Sequence, residues 1–151
     1  MRTKTFIGFL TGMALVLLLY VTPCANAASA EEEVLQVATN FVKAMNDNDS
    51  KLLTSLWLQS PKTTYFNPSG KFLTVGWMTN TPGGGEMFSL SHPMVTILGD
   101  NAAIITGYFT IMKSDEATKQ LSTEDLKETL VVQKNQGKWL IIHEHTSFLP
   151  K

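Results

Sequence analysis

The last third of the chain alternates strand-like runs with turns too short to hold anything else. "HPMVTILG" stops at Gly99-Asp100, a second run covers Ala102 to Met112, and Gly137 turns "EDLKETLVVQKN" into "KWLIIHEHTSF". β-branched and aromatic runs joined by such turns are antiparallel neighbours, because a parallel partner needs a long crossover. The pattern upstream has a different period. Val34, Val37, Ala38, Phe41, Val42 and Met45 recur at three- and four-residue spacing between Glu31 and Asn46, forming one apolar stripe on a helix. Glu31, Glu32 and Glu33 lie in its first turn, where acids favour the helix dipole. "NDNDS" stops this helix and caps a second over Ser50 to Leu58, with Leu52, Leu53, Leu56 and Trp57 as its buried side. "TTYFNPSG" reads as a strand entering a turn, "KFLTVGWM" fits a strand or a short helix, and "TNTPGGGE" at 79–86 is a glycine-rich loop suited to a lid or a connector. Helices followed by a run of strands predict an α+β domain, with N-terminal helices packed on an antiparallel β-sheet.

The first residues do not belong to that domain. Arg2 and Lys4 precede an apolar stretch from Phe6 to Val21, then Pro23, then Ala25-Asn26-Ala27. This is the layout of a secretory signal peptide with cleavage after Ala27, and the apolar stretch is short for a spanning helix. The expected division is a leader at 1–27 and a single domain at 28–151, periplasmic or secreted, touching a membrane only through the leader. Cys24 leaves with the leader, so the mature chain has no thiol chemistry. Ten lysines then face thirteen acids, and Arg2, the only arginine, is gone. No clustered basic face exists for a nucleic acid.

Both faces of the late strands are apolar. Ala103, Ile105 and Phe109 alternate with Ile104, Tyr108 and Met112, and Trp139 and Ile141 alternate with Leu140 and Ile142. One face packs on the helices, and the other is expected to pair two copies into a homodimer.

"FVKAMNDNDSKLLTSLW", "LGDNAAIITGYFTI" and "GKWLIIHEHTSF", with Trp139 followed by His143-x-His145-x-Ser147, resemble the SnoaL-like branch of the nuclear-transport-factor-2-like superfamily. That group includes ketosteroid isomerases, polyketide cyclases and the association domain of calcium/calmodulin-dependent kinase II. The resemblance covers about residues 31–149 and implies a cystatin-like cone. A strongly curved antiparallel sheet wraps the first helix and leaves a pocket for small, partly apolar molecules. It identifies function poorly, because one scaffold hosts enzymes, binders and assembly modules.

Strict strand alternation puts Trp139, Ile141, His143, His145 and Ser147 on one face, and Leu140, Ile142, Glu144, Thr146 and Phe148 on the other. Trp139, the largest, belongs inside, so His143 and His145 are expected to line the concave side. Three roles stay open for them: satisfied structural residues, ligand-binding or proton-transferring groups near neutral pH, or two ligands of a metal. A third metal ligand has to come from His92, Glu128 or Glu144, of which Glu144 points the other way, and no metal or cofactor is expected. Tyr65, Trp57, Trp77 and Tyr108 are the candidate aromatic walls of the same pocket. No matched acid and tyrosine pair of the ketosteroid isomerase kind is legible, since Asp47 and Asp49 read as helix-end residues. The expected function is binding of a small apolar or amphipathic molecule in the cone. The alternatives are an isomerase, dehydratase or cyclase with His143 or His145 as general base, and an assembly module acting through the outer sheet face.

Overall fold

The computed structural model describes residues 29–74, 86–115, 117, 118 and 120–150. The leader, Trp77 and the 79–86 loop up to Gly85 lie outside them. Helix α1, Ala30–Asn46, starts at Ser29, whose hydroxyl accepts from the Glu32 N–H while the Glu32 carboxylate accepts from the Ser29 N–H. This reciprocal cap satisfies donors that a helix start leaves open. Its buried stripe is Val34, Val37, Ala38, Phe41 and Ala44. Helix α2, Ser50–Ser55, is capped by Asp49, which accepts from the Leu52 N–H at 2.8 Å. It ends before Leu58, where the sequence predicted its end, because the next residues turn to the sheet. Ile141 N–H donates to Leu56, and Leu58 N–H donates to Ile141, with Trp57 bridging alongside.

The strands are β1 (Thr64–Phe66), β2 (Phe72–Thr74), β3 (Glu86–Gly99), β4 (Ala102–Ser114), β5 (Leu121–Asn135) and β6 (Lys138–Phe148). They form one sheet in the order β2-β1-β6-β5-β4-β3. Of "KFLTVGWM", Phe72–Thr74 is therefore strand. Every neighbouring pair is antiparallel except β1 and β6, which run parallel. The wholly antiparallel expectation is corrected there. Some seventy residues separate the two strands, so their pairing is a long crossover rather than a turn. Gln136 and Gly137, both at positive φ, make the tight β5–β6 turn, a geometry that glycine permits cheaply.

The core lies between α1 and the inner face of the sheet. Phe41 meets Trp57 and Phe109 at 6.3 Å between ring centroids, and Phe109 stacks on Phe88 at 5.6 Å. Both ends of α1 are fastened to strands. The Asn46 amide donates to the Phe88 carbonyl and accepts from the Phe88 N–H. At the other end, Lys134 Nζ and Trp139 Nε1 donate to one carboxylate oxygen of Glu33, at 2.8 and 3.0 Å. Three irregularities interrupt the described sheet. One lies between Ser91 and Met94, where His92 has a φ of 52°, a second between Ile97 and Gly99, and the third in β6 at Ile142. Among the described residues, no helix is long and apolar enough to cross a membrane.

Candidate functional site

The bulge at Ile142 decides which side chains of β6 reach the interior. Val132 lies opposite Ile141 and Val131 opposite His143, so Ile142 is the extra residue. A bulge of one residue inverts the alternation beyond it. Leu130, buried in the core, faces Glu144, and Glu128 faces Thr146, whereas Val131 and Thr129 face His143 and His145 on the other side. The sequence expectation is corrected here. Trp139 and Ile141 point inward, but the inward residues beyond them are Glu144 and Thr146, and both histidines lie on the outer face.

Four polar side chains meet on the inner face. Tyr65 of β1 is paired with Glu144, and the Thr146 hydroxyl donates to the Tyr65 oxygen at 3.3 Å. Glu144 is 6% exposed and Glu128 only 3%. On its far side Glu128 faces Gly107 of β4. A Cβ on Gly107 would stand 2.9 Å from Leu90 Cδ1 and 3.1 Å from the Ser91 carbonyl oxygen, so β3 presses close at this point. Both carboxylate oxygens of Glu128 are buried with no hydrogen-bond partner among the described residues.

This setting disfavours charge. Burial pushes the Glu144 carboxyl up to about 8, against the pull of the Thr146 hydroxyl. Burial first, and Glu144 second, hold Glu128 well above the usual carboxylate range. Burial and the two neighbouring acids raise the Tyr65 phenol in the same way. The cluster therefore favours the uncharged forms of both carboxyls and of the phenol, beside the Thr146 hydroxyl. Such groups can donate hydrogen bonds to a ligand, or give up a proton to one that brings positive charge.

The other sequence candidates divide. Trp57 is buried against Phe41, and its Nε1 has no partner among the described residues. Tyr108 is 46% exposed on the outer face, edge-on to His92 at 6.2 Å. His143 Nδ1 lies 2.7 Å from the Thr64 hydroxyl, and the Phe66 ring touches both imidazoles at 6.0 Å. Burial, and then the neighbouring His145, lower the His143 value. Trp77 lies outside the described residues. Among those described, no three His, Cys, Asp or Glu side chains could together hold a metal ion. Glu128 and Glu144 entered the sequence reading only as possible third ligands of a metal, not as binding groups of the pocket. The alternation Leu126, Glu128, Leu130, Val132 carries the first of them, whereas the second depends on a bulge that no motif announces.

A model of the calcium/calmodulin-dependent protein kinase II association domain matches residues 77–150. A search of curated proteins returned no match. Solved structures similar to this one include the association domain of C. elegans CaMKII, with TM-score 0.64 and 21% identity over 76% of this chain and 92% of that one. A nuclear transport factor 2-like superfamily protein from Salmonella enterica serovar Typhimurium aligns with TM-score 0.68 and 20% identity, over 80% and 92% of the two chains. A provisionally assigned dehydratase of the NTF2-like family from Streptomyces avermitilis aligns with TM-score 0.68 and 20% identity, over 80% and 96%. With two helices against an open six-stranded sheet, and with these likenesses across its domain, the chain has the nuclear-transport-factor-2-like α+β fold.

Proposed function

We propose that this is a small-molecule-binding domain whose site is the inner-face cluster of Tyr65, Glu128, Glu144 and Thr146. The observation that carries the reading is the Glu128 carboxyl, buried with both oxygens unpartnered. An unpaired buried acid costs folding free energy, and a ligand is a reason to keep it. Trp57 and Tyr65 serve as apolar walls. His143, His145 and Tyr108 take no part in this site. If turnover accompanies binding, the acids supply the proton transfer, not the histidines. We also propose export with cleavage after Ala27. The cap of α1 at Ser29 is consistent with this, since it needs nothing upstream of Ser29.

Native mass spectrometry of protein recovered from an exporting host tests both parts. The expected species starts at Ala28 and carries a small co-purified mass, which Glu128→Leu removes. A retained mass in that variant rejects the site, and an unprocessed chain rejects the cleavage.

A second reading is assembly. Its support is the match to an association domain over β3 to β6, together with the outer sheet face, where Tyr108 and Met94 are exposed and Leu140 is half-buried. In this reading two copies pair through that face as a homodimer.

A further inference from the structure

Among the described residues, the inner face holds two acids and no base to match them. Glu128 and Glu144 are diagonal neighbours across β5 and β6, in adjacent rows of the same face. From the elements packed around them, β1 contributes Tyr65, β4 contributes Gly107 opposite Glu128, and the buried residues of α1 and α2 are all apolar. Lys43, Lys113 and Lys134 pair with other acids, and Lys51, Lys62, Lys71, Lys127 and Lys138 are exposed. Among the described residues, no cation faces the pair.

We infer that the pair recognises a small organic cation, an ammonium or guanidinium group on a short apolar tail. The deduction rests on the ligand-site reading above. The cation takes the place of one proton. One carboxyl ionises and releases its proton to solvent, while the other keeps its proton and donates it to the new carboxylate. The site then holds one positive and one negative charge, which is how a buried charge is tolerated. Aromatic rings on the same face, Tyr65 and Trp57, suit a cation further. An anionic or purely hydrogen-bond-accepting ligand needs both acids protonated instead, and it reverses the pH dependence.

The test titrates butylamine, 1-butanol and butyrate into the folded protein. The amide resonances of Gly107, Glu128 and Thr146 are followed at two pH values below 8, with calorimetry in buffers of different protonation enthalpy. The expected result is that butylamine moves these resonances and releases one proton. Its affinity then rises about tenfold per pH unit. Glu128→Gln weakens binding at least about tenfold, with Glu144→Gln as a second variant should the first fail to fold. Butanol or butyrate binding in place of the amine, affinity that falls with pH, or wild-type affinity in both variants overturns the cation. If no probe binds and no mass co-purifies, the ligand site falls with it.

Discussion

Glu128 and Glu144 bind protons more tightly inside the fold than in the unfolded chain, because burial disfavours their charged forms. Their folded values lie above the ordinary 4.5, so folding binds protons. The stability they contribute is complete below about pH 4.5 and is lost as pH rises through the folded values, about 8 for Glu144. Unfolding free energies from urea titration are therefore expected to fall between about pH 5 and 8, by roughly 1 kcal/mol per pH unit for each acid that stays protonated. Glu128→Leu flattens that slope and stabilises the protein at pH 8 by about 1–3 kcal/mol, because it removes a buried group without a partner. Stability that rises over the same range means that the pair is ionised in the fold. The two acids differ in how far the sequence exposes them. Glu128 sits between Leu126 and Leu130 in an unbroken alternation, so its inward direction was legible. Glu144 lies between two histidines and beyond the bulge at Ile142, so strict alternation assigns it to the outer face.

At the level of elements, the patterns that repeat were readable and those that break were not. The stripe of α1, the alternation of β4 and the glycine turn before β6 each follow from a regular period, and each appears in the structure. The end of α2 and the inversion within β6 come from backbone groups finding partners elsewhere in the sheet, which is a property of the fold and not of local sequence. The parallel seat of β1 beside β6 is of the same kind. The close approach of β3 to β4 offers a check on the inner row. Gly107→Ala places a methyl group against Leu90 and against a main-chain oxygen that cannot swing away. A loss of about 1–3 kcal/mol is expected in thermal or denaturant unfolding. An unchanged midpoint means that β3 stands further off than described.

For the molecule as a whole, the two faces of the sheet make separable claims. Leu140 looks away from the core, opposite Gln133, so a charge there leaves the interior intact. If two copies pair through this face, as proposed, Leu140→Glu is expected to reduce the mass seen by light scattering to that of one chain, while the far-ultraviolet spectrum persists. Loss of the folded spectrum with the dimer means that the outer face belongs to the core of one chain, and an unchanged mass rejects assembly through this face. The sheet order has a further consequence for how the fold is assembled. β6 comes last in sequence among the described strands, yet it joins β1 and β2 to the β3–β5 meander and receives the segment after α2 at Ile141. Until β6 is in place, β1 and β2 have no seat beside the meander, although α1 can already pack on β3 and β4. The sheet therefore closes only when β6 docks, and that one strand brings the β1–β2 pair and the meander into a single body.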